Sequence, residues 1–180
     1  EFCDGSSVSL TLSGSEATVS YQLLKGGSSE GASVAGNGNA LEWTNITEGI
    51  YTILATHVSG CELTMNGTET IIKNPLPMVY NLTAPASYCA GSNVTVSLSN
   101  SEIGVSYQLI KNGDDLGVSV DGTGSSMDWT GLTIGTYTME ATTSEGCSVM
   151  MNGNKVVDEN PLPTVYTISA PAEYCEGTVV

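Results

Sequence analysis

Five cysteines carry the clearest spacing in this chain. Cys3, Cys89 and Cys175 lie 86 residues apart, as do Cys61 and Cys147. Thiols hold zinc, act as nucleophiles or form disulfides. A zinc finger takes its ligands from close pairs, and the cysteines here lie too far apart for one. Catalysis through serine or cysteine needs a neighbouring base. The sole histidine, His57, stands on the outward phase of a strand pattern between Thr56 and Val58, and Thr143 replaces it one spacing later. No catalytic residue is assigned, and the segment reads as non-enzymatic.

The disulfide reading follows the spacing. Pairing within each recurring unit joins Cys3 to Cys61 and Cys89 to Cys147, with Cys175 pairing outside the fragment. An antiparallel sandwich returns to its starting end after an even number of strands, and about six strands are expected between Cys89 and Cys147. The other pairing, Cys61 with Cys89 and Cys147 with Cys175, leaves Cys3 over. A bridge closing such a loop contributes about 4 kcal/mol and implies an oxidising compartment.

Other candidate chemistry is thinner. Asp114, Asp115 and Asp121 lie near turns and are weak calcium candidates, since hard oxygen ligands suit that ion. Ser28, Ser29 and Ala35 stand at the matching places one spacing earlier, and no EF-hand spacing occurs. No other metal or cofactor is expected. Asn45, Asn66, Asn81 and Asn93 head Asn-x-Ser/Thr sequons, candidates for glycosylation. Lys25 and Lys111, ending strands beside glycine turns, read as solvated rather than as cross-link donors. Trp43, Trp129, Tyr21, Tyr107, Tyr51 and Tyr137 recur at core-facing phases and read as packing residues before any sugar platform.

Trp43 and Trp129, and Pro75 and Pro161, repeat at the same 86-residue interval, and roughly half of the paired positions are identical. The expected layout is 1–76 as repeat 1 without its leading strand, 77–162 as repeat 2, and 163–180 as the truncated start of repeat 3. Within each, Tyr137, Met139 and Ala141 (earlier Tyr51, Ile53, Ala55) alternate with polar residues at the period of a half-buried strand. Lys-Asn-Gly and Lys-Gly-Gly signal tight hairpins, and Asn152-Gly153 a bulge or a hairpin. Asn-Pro-Leu-Pro at Asn74–Pro77 and Asn160–Pro163 reads as a stiff junction. Without helical periodicity, the fold expected is all-β: tandem antiparallel sandwiches of about seven strands, arranged end to end.

Nineteen acidic residues against four basic ones give a net charge of -15, which repels nucleic acid and anionic lipid. No stretch approaches the roughly 20 apolar residues of a membrane span. Only 13% of residues are charged, a composition that fits an extracellular setting.

The series YCAGSNVTVSLS, VSYQLIKNG, DGTGSSMDWTGL, GTYTMEATTSEGC, MNG and NPLPTVY resembles the Ig-like repeats of very large secreted surface proteins and adhesins of Bacteroidetes. That resemblance implies a cell-surface stalk or fibre whose partners are neighbouring repeats, like fibres, surface glycans or other cells. Two other readings stay open: a carbohydrate-binding accessory module of a secreted enzyme, and a subunit of a filament in which VYTISAPAEYC completes the sandwich of the next subunit.

Overall fold

The computed structural model describes residues 1–170. Its first half carries β1 (Phe2–Cys3), β2 (Val8–Leu12), β3 (Val19–Lys25), β4 (Ser28–Ser29), β5 (Val34–Ala35), β6 (Leu41–Ile46), β7 (Gly49–His57), β8 (Glu62–Thr64), β9 (Glu69–Ile71) and β10 (Lys73–Asn74). The second half carries β11 (Leu82–Thr83), β12 (Ser87–Cys89), β13 (Val94–Leu98), β14 (Val105–Lys111), β15 (Asp114–Asp115), β16 (Val120–Asp121), β17 (Met127–Leu132), β18 (Gly135–Thr143), β19 (Ser148–Met150) and β20 (Lys155–Asn160). No helix occurs among the described residues. Moved on by one spacing, β1 to β8 fall on β12 to β19, and β9 with β10 on β20. Only β11 has no earlier counterpart.

The second unit is a two-sheet sandwich. One sheet runs β11-β13-β17 and the other β12-β20-β18-β14-β15, with β16 also on β14 and β19 also on β18. Segments β11 and β12 are one strand split between the sheets, while β15 with β16 and β19 with β20 each lie along one neighbour. Counted so, there are seven strands. The interior follows from alternation: Tyr137, Met139 and Ala141 of β18 are fully buried, facing Val96 and Leu98 of the other sheet. Each large apolar side chain so buried contributes about 1.5–3 kcal/mol.

Local chemistry sets the turns. Asn112 and Gly113 take φ of 56° and 96°, both positive as a two-residue hairpin requires. Before β18 the Tyr137 phenol donates to the Thr133 carbonyl at 2.5 Å and accepts from the Thr133 amide at 3.2 Å. Tyr51 repeats the first contact on Thr47 at 3.0 Å. Glycine suits position 135 because its φ of 155° lies where L side chains rarely go. The lysines are therefore not simply solvated. Lys111 Nζ lies 5.7 Å from the centre of the Tyr137 ring and donates to Thr133 Oγ1 at 2.8 Å, and Lys25 does the same over Tyr51. Of the two readings of Asn152-Gly153, the bulge holds: against β18 the register shifts by two residues between Glu140/Met150 and Tyr137/Lys155, which divides one strand into β19 and β20, and Asn152 bridges to Asn81.

The strand count overturns the expected disulfides. Between Cys89 and Cys147 run five strands, β13, β14, β15 with β16, β17 and β18, not six. An odd number places Cys89 and Cys147 at opposite poles of the second unit, and Cys3 and Cys61 at opposite poles of the first. Cys3 is bonded instead to Cys147, across the two units.

Tyr137→Phe should cost about 1–3 kcal/mol, because it strips both partners from the Thr133 backbone; urea unfolding followed by tryptophan fluorescence measures it. Burial pushes the Tyr107 phenol up, outweighing the Glu102 amide bond that lowers it. The folded state thus holds this proton more tightly than the unfolded chain. Stability complete below ~10 should fall as pH rises through the folded value. A Tyr107→Phe variant, titrated in parallel, should lose part of that alkaline slope.

Candidate functional site

Two features frame the site: a covalent junction between the units, and looser packing of the first unit than of the second. The junction is built at the exit pole of the first unit. Strand β1 lies parallel to β10, pairing Phe2 with Lys73 and Cys3 with Asn74. The Asp4 amide donates to the Asn74 carbonyl at 2.9 Å, and the Asn74 side-chain amide donates to Glu1 Oε2 at 3.2 Å. Cys147 follows β18 in a tight turn closed by Gly146 N–H on the Thr143 carbonyl at 3.0 Å. Its sulfur is fully buried, 4.0 Å from the Asn74 carbonyl. The Cys3–Cys147 bond spans 144 residues with Cα atoms 5.5 Å apart. Loop closure of that length contributes about 5 kcal/mol in the chain-entropy treatment. The Lys73–Asp4 pair alongside, 3.5 Å apart and exposed on both sides, contributes little.

Each partner of this bond has a twin in the same local setting. Cys89 pairs with Asn160 across β12 and β20, and the Ala90 amide donates to the Asn160 carbonyl at 2.9 Å. Cys61 accepts the His57 amide on its carbonyl at 2.8 Å, as Cys147 accepts that of Thr143 at 2.9 Å. Both Cys61 and Cys89 are exposed free thiols. Beside Cys61, Ser59 Oγ lies 2.8 Å from His57 Nδ1 and 3.5 Å from the Cys61 sulfur. Sequence phase alone hid this local chain, because it joins a strand end to the following turn. At the exit pole of the second unit, Tyr88 donates to Glu159 Oε2 at 2.6 Å, which pushes the phenol pKa up. Phe2, its counterpart, has no such bond to make.

The first unit is packed more openly than the second. In the second unit Leu82 and Thr83 pair with Leu98 and Ser97. Leu82 N–H donates to the Asn152 carbonyl at 2.8 Å, Asn152 N–H to the Tyr80 carbonyl at 2.9 Å, and Ser99 N–H to the Asn81 carbonyl at 3.0 Å. Leu82 is 1% exposed and seals the sandwich. In the first unit the matching sheet holds β2 and β6 alone. The counterparts Ser13 and Asn66 make none of these bonds among the described residues. Leu10 and Leu12 are half-buried where Val96 and Leu98 are fully buried. Leu10, Leu12, Leu23, Tyr51, Ile53 and Met65 line a cleft of about 90 Å³. Nothing lies within 4 Å of a Cβ built on Gly67, whereas on Gly153 it would stand 3.2 Å from the Leu82 carbonyl oxygen.

The remaining expected sites are scattered. Asp114 and Asp115 stand opposite Lys111 and Ile110, and Asp121 opposite Ser106, about four strand positions or ~13 Å along β14. No group of three or more metal-ligating His, Cys, Asp or Glu side chains occurs among the described residues. Asn45, Asn66, Asn81 and Asn93 are all exposed. Tyr21, Tyr51, Tyr107, Tyr137 and Trp43 are buried and Trp129 is partly buried, so they form core and offer no sugar-stacking face. Cys175 lies outside the described residues.

No protein-family model matches the chain, and no curated protein does. Among solved structures, it is similar to the fibronectin(III)-like modules of Clostridium thermocellum CbhA, with 12% identity, TM-score 0.44, and 88% of each chain covered. Murine CEACAM1b gives 14% identity and a TM-score of 0.44 over 88% of this chain and 94% of that one. A Ca2+-stabilized adhesin that helps an Antarctic bacterium bind ice gives 16% and 0.42, over 89% of this chain and 46% of that one.

A non-reducing peptide map should recover Cys3 linked to Cys147 and no peptide joining Cys3 to Cys61. Cys147→Ser should lower the unfolding midpoint and let the two units melt as separate transitions in calorimetry.

Proposed function

We propose that this chain is a non-catalytic stretch of an extracellular stalk or fibre, with residues 1–76 and 77–162 as successive sandwich repeats and 163–180 opening a third. The observation that carries this reading is the covalent clamp between units. A bond within one sandwich would serve only that sandwich, whereas Cys3–Cys147 fixes two neighbours to each other. Fixing neighbours matters for a projecting rod and little for independent binding modules. Pro75 and Pro77 between the units stiffen the same joint. The acidic balance would keep parallel rods apart and in solution. Disulfide chemistry supports an oxidising, extracellular setting, and no described helix is long and apolar enough to cross a membrane.

Mechanical extension tests the reading. With handles at residues 1 and 180, the oxidised chain should yield only the residues outside the bonded span. Reductant should lengthen the fully stretched molecule by about 490 Å, from ~3.4 Å for each of 144 bonded residues. Equal extension in both states would remove the clamp and the load-bearing role with it.

A further inference from the structure

The two free thiols stand where the bonded sulfurs stand one unit away, and the match extends through the backbone around them. After Cys3, the Ser6 amide donates to the Cys3 carbonyl at 3.0 Å and Gly5 takes a φ of 84°. After Cys89, the Ser92 amide donates to the Cys89 carbonyl at 3.0 Å and Gly91 takes the same φ of 84°. Each of these cysteines pairs with an asparagine, Asn74 or Asn160, that opens an Asn-Pro-Leu-Pro connector. Before Cys147 and Cys61, Gly146 and Gly60 close equivalent turns with φ of 81° and 88°, on the carbonyls of Thr143 and His57. A disulfide needs Cα atoms within about 7 Å and converging Cβ directions, so backbone settings choose the partners.

What differs is cover. Asn74 and Cys147 are buried at the junction, while Asn160 and Cys61 are exposed. Cys61 stands at the pole of the first unit away from the junction, and Cys89 at the pole of the second unit away from it. They therefore have no means of bonding to each other within one chain.

We infer that the Cys3–Cys147 clamp recurs at every junction between units. Cys89 bonds to the Cys147 counterpart of the unit that follows, and Cys61 to the Cys3 counterpart of the unit that precedes. This rests on the repeat reading above and adds that each sandwich is bonded to both neighbours. The Asn160 carbonyl then lies beside a buried sulfur, as that of Asn74 does. Consecutive bonded loops share residues 89–147, so force entering at Cys147 leaves at Cys89, crossing the sandwich from pole to pole and bypassing the proline connectors.

Each bond needs an oxidant, and a small-molecule disulfide such as oxidised glutathione supplies one. One protein thiolate attacks it and releases one glutathione thiolate. The second attacks the mixed disulfide and releases the other, so two electrons pass from the protein sulfurs to glutathione, which leaves as two thiols with the protons that the protein gave up.

Two lengthened chains test the inference, each containing all of residues 1–180. In the first, a copy of residues 95–180 follows Val180, which falls on Val94 in the repeat. In the second, a copy of residues 1–86 precedes Glu1, which falls on Ser87. The added copies are marked by mass at exposed positions, with Ser148→Thr in the first and Ser7→Thr in the second. After oxidation with glutathione disulfide, a non-reducing peptide map should recover Cys89 linked to the marked Cys147 copy, and Cys61 linked to the marked Cys3 copy. Each new link should appear beside Cys3–Cys147. Cys89→Ser in the first chain, or Cys61→Ser in the second, should lose the new link alone. Because the added units lie at opposite ends, the two results do not depend on how either one folds. Cys89 and Cys61 that stay open to alkylation in these chains, or that link to an unmarked Cys147 or Cys3, would overturn the inference while leaving the clamp in place. A 180-residue chain without the Cys3–Cys147 link would instead overturn the clamp, and the recurring bonds with it.

Discussion

The second sandwich depends on the strand that leads into it. Leu82 of β11 enters the core and its amide donates to the Asn152 carbonyl, while the Asn81 carbonyl just before it accepts from the Ser99 amide, tying the edge of one sheet to the break in the other. Where that strand is present, Val94, Val96 and Leu98 are closed off from water. Their counterparts in the first unit, Val8, Leu10 and Leu12, are half-buried.

Much of the fold was legible because its signals are local. The glycine turns after Lys25 and Lys111 and the alternation of Tyr137, Met139 and Ala141 each report on a few neighbouring residues, and each lies where the pattern puts it. The disulfides were not legible, for a physical reason. Their pairing turns on the parity of the strand count, and β15 and β16, short segments lying along the same neighbour β14, count as a single strand. One strand too many moves a cysteine to the wrong pole. The lysines were misread for a similar reason: a side chain that reaches back over a tyrosine ring depends on the register of β14 with β18.

Asn74 and Asn160 were visible only as the start of a proline junction. In the fold, their backbone carbonyls receive the strands that carry Cys3 and Cys89, and Asn74 is buried beside the sulfur bridge.

The span of the Cys3–Cys147 bond also governs what a protease can achieve. The proline-rich connector between the two sandwiches is the natural place for a cut, and it lies inside the bonded loop. A chain nicked there remains a single molecule, with both folded halves held by sulfur, until a reductant reaches a bridge whose Cys147 side has no solvent contact. Damage to the backbone and loss of the far end are thereby separate events.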